Sequence, residues 1–398
     1  MAAAVTLAER GIPVTVFESG VVPGGRARRV RISSDGQDTE LDNGQHILVG
    51  AYTELFRLMR RVGVADDAVL RLPLELRYFD GFSFRSLWLP YPFGLLGGLL
   101  LARGLPFSER LGAVRFMAAM RRMKFTVKED VSVEALLEAH GQQGVIGHYL
   151  WRPLCVSALN TPTGEASAQA FLVVLRDALL GAADASDLLL PRVDLSRLFP
   201  EPAARFVTEH GGEVRYGSPV RDVGELQRAF GRVIVAVAPH QLKTLLPELA
   251  PDYTYQPIYT CYLQYPESTR LPFPMLGLAD GLVQWVFDRG ALTGEKGRLA
   301  CVISAQGDHQ QLSLDEVAEA CHRELARAMP GLPAPGWSRV IAEKRATVSC
   351  VPRAGKVSVR PRPNLFLAGD YVHPEYPPTL EAAVRSGVGA AELCADAT

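Results

Sequence analysis

The chain lacks the commonest metal and redox signatures. None of its six cysteines (Cys155, Cys261, Cys301, Cys321, Cys350 and Cys394) forms a CxxC pair. No His/Cys spacing matches a zinc site, so no metal is expected, and reduced thiols of a cytoplasmic protein are the plain reading. A Walker-type GKS or GKT and a helical zinc-protease motif are also missing. There is no basic excess: 42 Lys and Arg stand against 43 Asp and Glu, which argues against a nucleic-acid binder. No basic region followed by an apolar stretch reads as a signal peptide.

Long apolar runs are scarce as well. The one membrane candidate, LWLPYPFGLLGGLLLARGLPF, is broken by proline and glycine and falls short of the ~20 residues a span needs. It reads either as a core or pocket helix or as a helix lying on a membrane surface. The basic run MAAMRRMKFTVKED reads as a solvated helix face. No repeat or low-complexity tract is visible.

What is present suits a globular chain. Its 398 residues, 48% hydrophobic and 21% charged, suffice for two domains with their own cores. The opening MAAAVTLAERGIPVTVFESG reads as a helix over Ala2–Arg10, capped by Gly11, then a buried parallel strand. The helix has no Ser, Thr, Asp or Asn before it. An upstream segment is therefore expected, and with it the expectation that this exact chain folds poorly or binds its cofactor weakly. Further on, LELRYFDGFSFRSLWLP reads as a hairpin turning at Asp80-Gly81. SVEALLEAHG and SLDEVAEACHRELARAM read as serine-capped helices.

Three fragments point to chemistry. VTVFES places Glu18 at a strand's carboxyl edge, where an acid accepts hydrogen bonds from ribose hydroxyls. VVPGGRARRV follows, with Gly24 and Gly25 allowing close phosphate approach and Arg26 supplying charge. Alone, each has an ordinary reading, a surface acid or a glycine turn; together they are specific. NLFLAGDYVHPEYPPTLEAAVRSG delivers Gly369 and Asp370 from a buried strand. A helix then starts at Pro378 or Thr379, and its N-terminus suits the electron-rich edge of a reduced flavin.

These fragments together resemble the FAD-dependent flavoprotein family of amine oxidases, protoporphyrinogen oxidase and phytoene desaturases. The resemblance implies an α/β Rossmann-like FAD-binding domain, here without its first strand and GxGxxG turn, and an inserted α+β substrate domain. The FAD-binding domain is expected over 1–75, 200–245 and 340–398, and the substrate domain over 76–199 and 246–339. The resemblance assigns FAD contacts to Glu18, Gly24, Gly25, Arg26, Gly44, Gln45, Gly369, Asp370, Thr379, Leu380 and Glu381. It places Val220, in VRYGSPVRDV, against the adenine.

Within that family, LDNGQHILVGAY, PPTLEAAVRSG and WRPLCVSALNTP resemble the squalene-associated branch, the hydroxysqualene dehydroxylases of hopanoid biosynthesis. That implies a long-chain isoprenoid substrate reduced by FAD. Loss of an allylic hydroxyl calls for a general acid; His46 is the first candidate, with His373, Glu375 and Tyr376 behind it. A structural role in its turn is the other reading of His46, and plain packing that of Trp151. Two further readings stay open: a carotenoid or phytoene-type desaturase running the flavin chemistry in reverse, and a flavin-free partner of an isoprenoid synthase. The expected location is cytoplasmic, with peripheral contact at the inner face of the cytoplasmic membrane.

Overall fold

A computed structural model describes all residues except 35–36, 90–92, 181, 183, 356, 374 and 397–398. Positions 90–92 of the apolar stretch thus lie outside the described residues. So does position 374, between two of the acid candidates.

Both ends of the chain build one unit. The helix Ala2–Glu9 closes as expected: Gly11 adopts φ +70°, its N–H donates to Ala8, and that of Ile12 donates to Leu7. This double bond satisfies carbonyls that the helix end leaves open. The strand Thr15–Phe17 pairs in parallel with Glu213–Arg215, and Val233–Val235 pairs in parallel with Leu365–Leu367. The first strand is half-buried rather than buried, because among the described residues it has a single partner strand. Helices Ala2–Glu9, Thr53–Arg61, Pro200–Glu209 and Leu380–Asp396 share one apolar core around Val5, Leu58, Phe206 and Val388. The first and last of these approach so closely that a Cβ on Gly387 would lie 3.0 Å from that of Ala2.

The intervening chain builds the second unit. Its sheet runs antiparallel in the order Met275–Gly277, Trp285–Asp288, Arg298–Ser304, Tyr255–Gln264, Trp337–Val348. Helix Leu314–Ala328 buries Val317, Cys321 and Leu325 against it, started by a reciprocal Ser313–Glu316 cap. The expected hairpin forms between Glu75–Arg77 and Ser83–Arg85. Trp151 is core: it is 1% exposed, packs edge-on to Phe116, and donates to Gln142.

Two strand pairings cross the expected domain boundaries. Position 340 falls inside the strand Trp337–Val348, which pairs along its length with Tyr255–Gln264 and so belongs to the substrate unit's sheet. Leu188–Pro191, assigned to the substrate domain, pairs instead with Leu48–Val49 and Val69–Leu72. Strand pairing across long sequence separations overrides the change of texture from which those boundaries are read.

The apolar stretch divides between its two readings. In the helix Phe93–Leu101, Leu95 and Leu99 are buried while Phe93 and Leu101 are exposed. Among the described residues no helix is long and apolar enough to cross a membrane.

Gly387→Val is expected to lower unfolding stability by about 1–3 kcal/mol through overpacking against the first helix. Gly389→Ala, with open space around its Cβ position, is expected to match or exceed wild type. Thermal melts of the two variants check this; equal losses would remove the close-packing account.

Candidate active site

Glu18 follows the first strand, and its backbone N–H continues the pairing by donating to Arg215. Its Oε1 accepts from the Gly20 N–H at 2.7 Å. Among the described residues Oε2 has no protein partner, leaving it free for a ligand's hydroxyls. Val220 lies just beyond the neighbouring strand, past Ser218, whose N–H donates to the Glu18 carbonyl. Gly24 and Gly25 adopt φ +118° and +58°. A Cβ on Gly24 would meet the Ala27 carbonyl at 2.5 Å, so this turn requires glycine.

The turn delivers Arg26 to Asp370. One guanidinium nitrogen, Nη2, donates to both carboxylate oxygens at 2.9 Å, and Nη1 donates to the Ala346 carbonyl at 2.5 Å. Asp370 is 7% exposed and follows Gly369 at the carboxyl end of Leu365–Leu367. The Gly369 N–H donates to Ser386 on the last helix. Thr379 caps that helix, accepting from the Ala382 N–H at 3.1 Å, and Leu380 opens its first turn.

Glu381 does something the sequence reading misses. It is 1% exposed, and its two oxygens accept from the N–H groups of Glu54 and Leu55, at the start of helix Thr53–Arg61. Arg385 also donates to it. The carboxylate is thus occupied by a helix N-terminus, where negative charge is stabilised. Any contact of Glu381 with a cofactor falls to its backbone N–H.

The Gly44-Gln45-His46 turn lies between the two units. The Gln45 N–H donates to Thr260 on the substrate sheet, and its Oε1 accepts from Arg289 at 3.1 Å. Beneath it, Asp42 and Arg289 are 2% and 4% exposed and 3.5 Å apart. Asp42 also accepts from the Leu195 N–H, and Arg289 pairs with Glu295 at 2.8 Å. Burial pushes the Asp42 carboxyl up to about 6, with Arg289 opposing the rise. Neither Asp42 nor Arg289 was expected; the only signals are an acid before Asn-Gly-Gln-His and an arginine closing VFDR.

His46 Nδ1 lies 2.7 Å from the Gly44 carbonyl. A carbonyl only accepts, so Nδ1 carries the proton and Nε2 presents a lone pair. Burial, with the Arg26 charge adding to it, lowers the ring's pKa from the usual 6.5. That lowering favours the neutral ring, in which Nε2 is a hydrogen-bond acceptor rather than the proton donor that a general acid requires. The other acid candidates are also engaged. His373 Nδ1 accepts from the N–H groups of Glu375 and Tyr376, and burial lowers its pKa. The Tyr376 hydroxyl donates to Asp177 and is pushed up to about 12, chiefly by burial. The Glu375 side chain is 63% exposed and 3.8 Å from Arg176.

These residues fit FAD. An acid with a free oxygen follows one parallel strand, a turn that requires glycine reaches Asp370 just past another, and a helix N-terminus follows that strand. The Arg26 charge neutralises Asp370, which lets an anionic diphosphate approach. Such an arrangement defines a flavin dinucleotide-binding oxidoreductase. The chain belongs to the flavin containing amine oxidoreductases, whose family profile matches residues 1–395, and it is an FAD-dependent oxidoreductase of that family. It is similar to hydroxysqualene dehydroxylase of Sinorhizobium fredii, 28% identical over 421 residues, covering 100% of this chain and 96% of that protein. The hydroxysqualene dehydroxylase of Rhodopseudomonas palustris is 28% identical over 431 residues, covering 99% and 95%. Among solved structures, a triple mutant of putrescine oxidase from a redesign of cofactor binding shares the fold. Its TM-score is 0.70 at 16% identity, with 99% of this chain and 96% of that one covered.

Arg26→Ala leaves Asp370 without this partner, and is expected to destabilise the chain by about 1.5–3 kcal/mol. Arg26→Ala/Asp370→Asn should recover part of that loss in urea melts. The Asp42 carboxyl takes a proton near pH 6 when folded but near 3.8 when unfolded. Its contribution is therefore full below pH 4 and lost as pH rises through 6, about 2–3 kcal/mol in all. Relative to wild type, Asp42→Asn should gain stability between pH 4.5 and 7.5. An unchanged difference across that range would show that Asp42 titrates normally.

Proposed function

We propose that the chain reduces hydroxysqualene to squalene, as a hydroxysqualene dehydroxylase working on substrate taken from a membrane surface. The observation that carries this is the end-to-end likeness to two dehydroxylases, at 28% identity over more than 420 residues. The apolar middle of the chain supports it, because a C30 alcohol needs a long apolar seat.

FAD in its fully reduced form, FADH2, would when bound supply both the hydride to carbon and the proton with which the hydroxyl leaves as water. It would be held by Glu18 at the adenosine ribose, by the Gly24-Gly25-Arg26 turn and Asp370 near the diphosphate, and by the N-terminus of helix Leu380–Asp396 at the flavin edge. Gln45 and His46 stand on a turn fixed from the FAD-binding side by Asn43, which donates to the Arg26 carbonyl at 3.2 Å. Thr260 and Arg289 fix it from the substrate side. The His46 Nε2 lone pair accepts the substrate hydroxyl proton in a hydrogen bond and orients the C–O bond. Burial of the turn excludes water from the carbon that loses its hydroxyl.

The FAD-loaded chain, reduced anaerobically and given hydroxysqualene, is expected to yield squalene by mass spectrometry. Flavin bleaching by phytoene, with no squalene from the alcohol, would replace this reading with the desaturase. Protonation removes the Nε2 lone pair, so kcat/KM should be flat from pH 7 to 9 and fall on acidification below 6.5. His46→Ala should lower kcat/KM about tenfold, the worth of one hydrogen bond, and abolish that acid limb. A rate that climbs as pH falls, and loses the climb in His46→Ala, would restore His46 as the acid.

A further inference from the structure

Seven of the thirteen large apolar side chains left exposed among the described residues fall between positions 88 and 123. Trp88 is 97% exposed, Phe93 64%, Leu101 66% and Phe107 68%. Single exposed apolar residues are ordinary on any protein; a concentration of this kind marks an interaction surface.

The groups stand on anchored backbone. The Leu87 N–H donates to the Gly94 carbonyl at 3.0 Å, and a Cβ on Gly97 would lie 2.6 Å from the Leu87 side chain. The segment carrying Trp88 is therefore laid along the helix Phe93–Leu101. At the far end, Arg110 donates to the carbonyls of Leu100 and Leu105 and fixes the turn into helix Phe107–Arg122. On the other side of the first helix, Leu95 and Leu99 enter the core.

Charge decides what covers this face. Residues 85–128 hold eight Arg and Lys against one acid, in a chain whose net charge is -1. That acid, Glu109, is engaged by the Ile146 N–H at 2.8 Å. Arg103, Arg115, Arg122, Lys124 and Lys128 are exposed. Along helix Phe107–Arg122, the exposed Phe107, Arg115, Ala118 and Arg122 fall on one side, at the spacing of a single helical face. Aromatic and aliphatic groups ringed by cations match the headgroup boundary of an anionic bilayer. A second copy of the chain, docked face to face, would bring like charges together instead.

We propose that this face, Trp88–Leu89 with helices Phe93–Leu101 and Phe107–Arg122, docks the protein onto membranes containing anionic lipid. It gives a surface and a lipid chemistry to the membrane contact inferred with the substrate, and rests on that reading for its purpose. Trp88, Phe93, Leu101 and Phe107 enter the acyl boundary, while Arg115, Arg122 and Lys124 meet lipid phosphates.

Flotation of the full chain with vesicles tests this. Wild type is expected to float with phosphatidylcholine vesicles containing 30% phosphatidylglycerol, to float about tenfold less with phosphatidylcholine alone, and to be released by 0.5 M salt. Trp88→Ser/Phe93→Ser and Arg115→Gln/Arg122→Gln should each weaken partitioning about tenfold or more while melting like wild type. No binding to the anionic vesicles would overturn the proposal, as would equal binding by wild type and both variants. Sedimentation velocity covers the remaining occupant: a dimer that Trp88→Ser/Phe93→Ser dissociates, with no flotation, would assign the face to a second copy. Flotation needs no turnover, so intact flotation without squalene formation removes the substrate reading and leaves the surface standing.

Discussion

The contact between Arg26 and Asp370 joins parts of the chain that are otherwise far apart. They are 344 residues distant in sequence: Asp370 lies just past the parallel-paired strand Leu365–Leu367, and Arg26 stands on the glycine turn beyond the strand Thr15–Phe17. The same guanidinium reaches Ala346, at the end of the substrate sheet's last strand. One side chain thus ties the glycine turn, the C-terminal strand and the substrate unit to a common point. Closing so long a loop costs conformational entropy, and a charge-assisted bond in a partly dry setting helps offset that cost. The position of the Gly24-Gly25-Arg26 turn relative to the strand that precedes the last helix follows from this bond.

A second set of buried charges holds the Gly44-Gln45-His46 turn. Asp42, Arg289 and Glu295 form a nearly dry chain of ion pairs, with the Tyr262 hydroxyl donating to the Asp42 carbonyl at 3.0 Å. Buried ion pairs contribute little net stability when their desolvation is counted. Their worth here is directional: Arg289 is the donor that fixes Gln45, and Gln45 precedes the His46 ring. Replacing this network by apolar groups could keep the fold while losing the register of the turn.

Much of the cofactor side was legible in sequence because its chemistry is local. An acid at a strand end, a glycine pair and a Gly-Asp at the next strand end each satisfy their requirements within a few residues. The closing turn at Gly11 and the caps at Ser132 and Ser313 were legible for the same reason. What was hidden depends on partners far away. Nothing around Glu381 says that its carboxylate caps a helix more than 300 residues earlier. Nothing in the texture near 340 says that Trp337–Val348 pairs with Tyr255–Gln264. The His46 ring was expected to give a proton. The Gly44 carbonyl, two residues away, accepts a hydrogen bond from Nδ1–H, and burial with the Arg26 charge disfavours a second proton on the ring.

On the proposed reading the two units meet different solvents, and that division accounts for the distribution of charge. On the FAD-binding side, Glu18 stays half-exposed with an oxygen free for polar ligands, and charges are paired within the protein. On the far side, the face around Phe93–Leu101 has almost no acids and leaves aromatic rings in water. A protein serving only soluble substrates gains nothing from that arrangement, since exposed aromatics promote self-association. A C30 alcohol partitions into bilayers, so its enzyme meets it at useful concentration only at a lipid surface. On the proposed function, the apolar, cationic face and the buried His46 turn serve one requirement, moving a water-insoluble alcohol to a hydride donor without passing it through water.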